Sequence, residues 1–168
     1  MAPWALRLGQ EGWRCVLVDL RGHGKSTGKR IYFGIQEPHD LSQLLDELAH
    51  DGQLKEPVAA FGESYGAVMA LRWKMVEPRV CTVVAITPYA GLSNTVMNLR
   101  HEYASWLPKT LVKAGLIKLP SVLGTPADEL DTTTVMARNP VAALFVAGAE
   151  DKIAPMKDAE QLRGLAAT

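Results

Sequence analysis

The sequence predicts an α/β fold built on a parallel sheet, and three observations carry that expectation. Short continuous apolar runs recur along the chain: Cys15–Asp19, Pro57–Phe61, Val80–Ile86 and Val141–Ala147. Between them the apolar residues return with a helical period, as in Leu41, Leu44, Leu45 and Leu48. Strands alternating with helical patterns are the sequence form of βαβ units, whose crossovers make a sheet parallel. The third observation is composition. The chain has 168 residues, 48% hydrophobic and 21% charged, the mix of an ordinary globular protein. Disorder of the whole chain is excluded, and the length suffices for one core without disulfides or metals.

Each element has its local reason. Residues 3–11 suit a short helix with Gly12 as its stop. The run 15–19 reads as a strand buried on both faces. The turn-rich stretch Arg21–Gly28 follows. Pro38 suits a helix first turn, Asp40 lies near its positive dipole end, and the four leucines form one stripe. The run 57–61 is a second buried strand. A helix follows Gly62 through about Met75, with Val68, Leu71 and Met75 on one face. Residues 80–86 are a third strand, rich in β-branched side chains. Residues 88–140 hold no strong strand. They offer helices near 93–106 and 109–117, then a Pro/Gly/Thr-rich stretch to Pro140. Residues 141–147 are a fourth strand, closed by Gly148–Asp151, and Pro155 with 157–166 makes a loop and a last helix. The chain thus divides into core 1–87, an insertion 88–140, and core 141–168. Cys15 and Cys81, each in an apolar run, are expected to be buried free thiols.

Several function classes are set aside. With 18 basic and 18 acidic residues the chain has no net field to attract nucleic acid or an anionic membrane. No apolar run is long enough to span a bilayer. Met1–Trp4 has neither the basic nor the apolar region of a signal peptide, so the expectation is a cytoplasmic protein. Asp, Glu and His show no metal-ligand spacing and no cofactor is implied. Gly24-Lys25-Ser26 invites a phosphate-loop reading, but position 19, where that motif needs glycine, is Asp.

The strongest chemical signal is Gly62-Glu63-Ser64-Tyr65-Gly66, a G-x-S-x-G pattern between a buried strand and an amphipathic helix. This setting puts Ser64 at the tip of a tight, strained strand-to-helix turn. The flanking glycines, Gly62 and Gly66, leave room for close backbone approach. The Tyr65 N–H, at the helix N-terminus, then faces a developing oxyanion.

These residues resemble the α/β-hydrolase superfamily, and the resemblance covers nearly the whole chain. Asp19-Leu20-Arg21-Gly22-His23-Gly24-Lys25-Ser26 is similar to that family's D-x-R-G-x-G-x-S turn, and 88–140 looks like its helical lid. Gly148-Ala149-Glu150-Asp151, with Pro155 beyond, resembles the loop carrying the triad acid. The resemblance implies a three-layer sheet sandwich and a serine hydrolase acting on a carboxylic ester or amide. Ser64 would be the nucleophile and Asp151 the acid, with Glu150 a weaker alternative. The family's triad runs Ser, Asp/Glu, His in chain order. The four histidines, His23, His39, His50 and His101, all precede Asp151. His23 and His101 remain possible replacement bases or plain structural residues. The resemblance further implies a piece lacking N-terminal strands, one oxyanion donor, and the last strand with the catalytic His. Such a piece is expected to be inactive alone. The runs 15–19 and 57–61 would then flank a missing strand, and must re-pair, associate with another chain, or stay exposed. The rival reading is a non-catalytic binding module on the same fold. Tyr103, Trp106, Leu107, Leu111 and Leu116 in the insertion line an acyl pocket or form ordinary core.

Overall fold

The computed structural model describes residues 1–167. Its sheet has three parallel strands in the order β1 (Val58–Glu63), β2 (Val80–Ile86), β3 (Ala143–Val146). Gly62 lies opposite Ala85, and Ile86 opposite Val146. Two bonds carry the ladder past the strand ends. Ser64 N–H donates to the Ile86 carbonyl at 2.8 Å, and Thr87 N–H to the Val146 carbonyl at 2.7 Å. All three strands therefore finish at one edge.

The helices are α1 (Ala2–Gln10), α2 (Glu37–His50), α3 (Tyr65–Val76), α4 (Leu92–Tyr103), α5 (Lys109–Leu123), α6 (Thr132–Arg138) and α7 (Met156–Gly164), with a 3-10 turn at Ala127–Leu130. The α3 helix packs on β1 and β2 through Ala67, Ala70 and Leu71, against Ala60, Val83 and Ala85. The small alanines let the helix approach the strands closely, and burial of this apolar surface is the main stabilising term. The α2 helix lies against α3, where Trp73 Nε1–H donates to Ser42 Oγ at 3.1 Å. The α7 helix packs on β3 and α6, burying Leu162. Because side chains alternate along a strand, Phe61, Leu144 and Val146 face the other way. There α1 brings Trp4 to Phe61, ring centroids 5.5 Å apart, while Leu144 and Val146 stay exposed. The three layers expected from the sequence are present, but the second helical layer reaches β1 and leaves β3 bare.

Two expectations are corrected. The run Cys15–Asp19 is not a strand, and Val16, Leu17 and Val18 are 50%, 59% and 43% exposed rather than buried on both faces. The reason is pairing. Among the described residues the run has no strand partner, and β1 pairs only with β2. Contacts on either side of the run fix its approach and exit. Arg14 donates to the Gln53 side chain at 2.8 Å and to the Gln53 carbonyl, and the His23 ring lies 5.4 Å from that of Tyr65. Cys15 and Cys81 are free, as expected, but exposed. Cys15 shares the fate of its run. Cys81 precedes the part of β2 that β3 covers, which begins at Val83.

Between β2 and β3 the chain is helical. The α5 helix runs on past Pro120 to Leu123 and is stopped by Gly124 in the left-handed region, φ 66°. Asp131 caps α6 by accepting the Thr134 N–H at 2.9 Å, and Met136 of α6 is fully buried in the sheet-side core.

Candidate active site

The last residue of β1 and the first of α3 are separated by one residue, Ser64. No ordinary conformation turns a strand into a helix in so short a space. Ser64 accordingly adopts φ 52°, ψ −113°, outside the regions open to an L-residue without strain. Gly62 makes this possible. A Cβ there would stand 2.1 Å from the Gly66 carbonyl oxygen and 2.3 Å from its carbon, both rigid backbone. Gly66 has open space where its own Cβ would be, so its part is to present that carbonyl rather than to avoid a clash. The Tyr65 N–H is the first amide of α3. Amides in a helix's first turn lack an intrahelical acceptor and sit at the positive end of its dipole.

The Tyr65 side chain is anchored from below. Its hydroxyl donates to Glu37 Oε1 at 3.1 Å. Glu37 is fully buried at the start of α2 and also accepts the Tyr32 N–H at 2.6 Å and the Gly34 N–H at 2.9 Å. Burial first, then the Glu37 carboxylate, pushes the Tyr65 phenol well above its ordinary range, which keeps it a donor. Phe33 meets the Tyr65 ring edge-on, centroids 6.2 Å apart. Burial likewise pushes the Tyr89 phenol up to about 12.

The turn after Asp19 is built around that residue. Its carboxylate accepts the Lys25 N–H at 2.9 Å, and its carbonyl accepts the Ser26 hydroxyl at 2.5 Å. Arg21 leaves the turn to grip α2. Its Nε–H and Nη2–H donate to the two Asp40 carboxylate oxygens at 2.5 Å, and Nη1–H to Gln36 Oε1 at 2.5 Å. Asp40 thus acts through a two-pronged ion pair more than through the helix dipole. Lys25 and Ser26 hold the turn by their backbone and hydroxyl.

Asp151 lies five residues past the end of β3, on the sheet edge where Ser64 stands. Its Oδ1 accepts the Ile153 and Ala154 N–H groups, both at 2.8 Å, fixing the carboxylate in its loop. With β2 between β1 and β3, the strands leading to Ser64 and Asp151 are about 10 Å apart, twice the interstrand spacing. Glu150 is exposed. Of the histidines, His23 approaches Tyr65, and its Nδ1 sits 3.1 Å from the Arg21 carbonyl. His101 pairs with Glu102 and His50 with Asp51, both on the surface, and His39 lies exposed in α2's first turn.

Glu37 and the Arg21–Asp40 pair were not legible as parts of the site. Their partners lie 28 and 19 residues away, and no local spacing announces such contacts.

The geometry agrees with what the chain is similar to. A family model described as serine aminopeptidase, S33 (Hydrolase_4) matches residues 1–141, which include the turns after Asp19 and at Ser64. The uncharacterized protein YqkD of Bacillus subtilis (strain 168) is 28% identical over 159 residues, 90% of this chain and 50% of that protein. The esterase Pf2001 of Pyrococcus furiosus superposes with TM-score 0.77 at 24% identity, over 98% of this chain and 61% of that one. Acetyl xylan esterase 1 from Thermoanaerobacterium sp. JW/SL YS485 gives TM-score 0.63 at 15% identity, over 98% and 60%. The chain therefore spans about half the length of the curated relative it matches. With its parallel sheet and a family match over most of its length, the chain belongs to the S33 serine aminopeptidase (Hydrolase_4) family of α/β-hydrolase-fold hydrolases.

Proposed function

We infer that this chain carries the nucleophile and acid of a serine hydrolase acting on a carboxylic ester or amide. The observation that carries the reading is Ser64 itself, held at φ 52° between β1 and α3. Such a turn projects the hydroxyl at the sheet edge. Ser64 Oγ attacks the carbonyl carbon, the carbonyl π electrons move to oxygen, and the Tyr65 N–H donates to that oxygen. Asp151 orients a histidine that takes the Ser64 proton and returns it to the leaving group; water then releases the acyl group. That histidine lies after Asp151 in the family's chain order. The 168 residues contain none there, so by themselves they turn over esters poorly. Loss of the base costs roughly 10⁶ in kcat in the best-studied triad. Within this reading the helices of 88–140 form the cap and the sheet segments on either side the core. The free edge of β1 and the exposed run 16–18 offer pairing to a further strand, including one from a second copy.

The test is a fluorophosphonate probe followed by peptide mapping. Slow phosphonylation at Ser64, abolished in Ser64→Ala, is the expected result. A folded, soluble sample that never labels favours the non-catalytic binding module. Fast ester turnover that needs Ser64 would show that a histidine of this chain, His23 or His101, serves as base.

A further inference from the structure

The chain is neutral overall, but its charges are not evenly spread. Residues 20–36 carry Arg21, Lys25, Lys29 and Arg30 and no acid. Two left-handed glycines, Gly22 at φ 71° and Gly28 at φ 112°, fold this stretch back on itself. A Cβ on Gly22 would stand 3.2 Å from the Arg30 carbonyl, and one on Gly28 would stand 3.5 Å from the Gly22 nitrogen. Segments 21–22 and 28–30 therefore run side by side. Here lies a cavity of about 260 Å³ lined by Arg21, Gly28, Lys29, Arg30 and Tyr32.

Part of the lining is fixed. Arg21 is held by Asp40 and Gln36, and its guanidinium carbon lies 5.2 Å from the centre of the Tyr32 ring. Asp40 offsets the Arg21 charge. Lys29 and Arg30 are exposed, and among the described residues neither is in an ion pair. No acid lines the cavity, so its wall carries two uncompensated positive charges. A single carboxylate would offset one of them. A phosphate group carries about −1.5 to −2 at neutral pH and several acceptor oxygens, which suits an ammonium, a guanidinium and a phenol together. One small cavity in a neutral chain does not suit the long charged backbone of a nucleic acid. We propose that this cavity binds the phosphate group of free phosphate or of a small phosphomonoester. The inference does not rest on the hydrolase reading.

The experiment titrates the full chain with sodium phosphate, and separately with sodium chloride at matched ionic strength, while amide chemical shifts are followed. Saturable shifts centred on residues 21–32 are expected with phosphate and not with chloride. Lys29→Gln with Arg30→Gln should weaken binding at least about tenfold, and Tyr32→Phe by less. Lys109→Gln with Lys113→Gln removes the same charge from α5 and should leave binding unchanged. Unshifted resonances elsewhere check that each variant keeps the fold. Glycerol phosphate binding more tightly than inorganic phosphate identifies an organic ester as the ligand, and binding no tighter identifies the free ion; both support the site. Shifts that never saturate, that chloride or acetate reproduces, or that the Lys29 and Arg30 substitutions leave intact overturn the proposal. So does equal weakening by the α5 variant, which would reduce the effect to the overall charge of the chain.

Discussion

Two segments of this chain start from nearly the same sequence material and end differently. Cys15–Asp19 and Val58–Glu63 are both short apolar runs leading into a glycine-bearing turn. The second has β2 beside it in parallel register and α3 across its face. The first has neither, and its Val16, Leu17 and Val18 stand open to water. What makes a strand is therefore a partner for its backbone groups; the apolar pattern only makes a segment eligible. The turns differ in the same way. The turn after the paired strand is locked by backbone against backbone at Gly62 and Gly66, whereas the turn after the unpaired run closes on the side chain of Asp19.

That contrast is open to mutation, beginning with the glycines. Gly62→Ala drives a Cβ into the Gly66 carbonyl at 2.1 Å, and neither group can swing away. A loss of about 3 kcal/mol or more is expected from urea unfolding, together with loss of probe labelling at Ser64. Gly24→Ala meets the Asp19 carboxylate, a side-chain end that can rotate, at a residue with φ 52°. The left-handed conformation costs an alanine about 1 kcal/mol, so this variant should fall well short of the first. Equal losses would mean that the two turns are held alike.

The strands give a like-for-like pair. Val83→Ala removes two methyl groups from a fully buried place in β2 and should cost about 2 kcal/mol. Val16→Ala should stay within about 0.5 kcal/mol in the monomer. If the free run and the open edge of β1 associate between copies, Leu17→Lys will lower the apparent mass at high concentration in light scattering, and stability will not change. A costly Val16→Ala in dilute solution would show the run to be paired after all.

A further test concerns the connection that brings α3 round into β2. Arg79 grips the buried Glu77 carboxylate with two 2.7 Å bonds. This side-chain bonding, opposed by burial, lowers the Glu77 carboxyl from 4.5 to about 2. A depressed acid stabilises the fold fully above its unfolded value and loses that contribution as pH falls from about 4.5 towards 2. Glu77→Gln should therefore be less stable than wild type at pH 7, and the gap in urea midpoint should narrow across that window. A gap that stays constant with pH would remove the charge from the explanation.

How much was legible follows the same line. The α2 helix could be read from Leu41, Leu44, Leu45 and Leu48, because helical bonds are local. The tight strand-to-helix turn at Ser64 could be read because strand, glycine, serine and helix adjoin in sequence. Asp151 could be placed on the correct edge because a parallel sheet finishes all its strands together. The exposure of Val16 and of both cysteines could not be read, since it depends on which strand lies alongside. Nothing in the local pattern marks Glu37, whose partners Tyr32, Gly34 and Tyr65 come from two other segments. Trp106, expected at a pocket wall or in ordinary core, is 80% exposed, because helical spacing marks an apolar face but does not say whether protein covers it.

Glu37 has a further consequence for how the molecule opens. One buried carboxylate holds the loop at 32–34, the start of α2 and the residue after Ser64. None of the three can separate without stranding a charge or leaving donors dry. The 32–34 loop, the start of α2 and the strained turn at Ser64 therefore belong to one cooperative unit, in which opening of the first weakens the last.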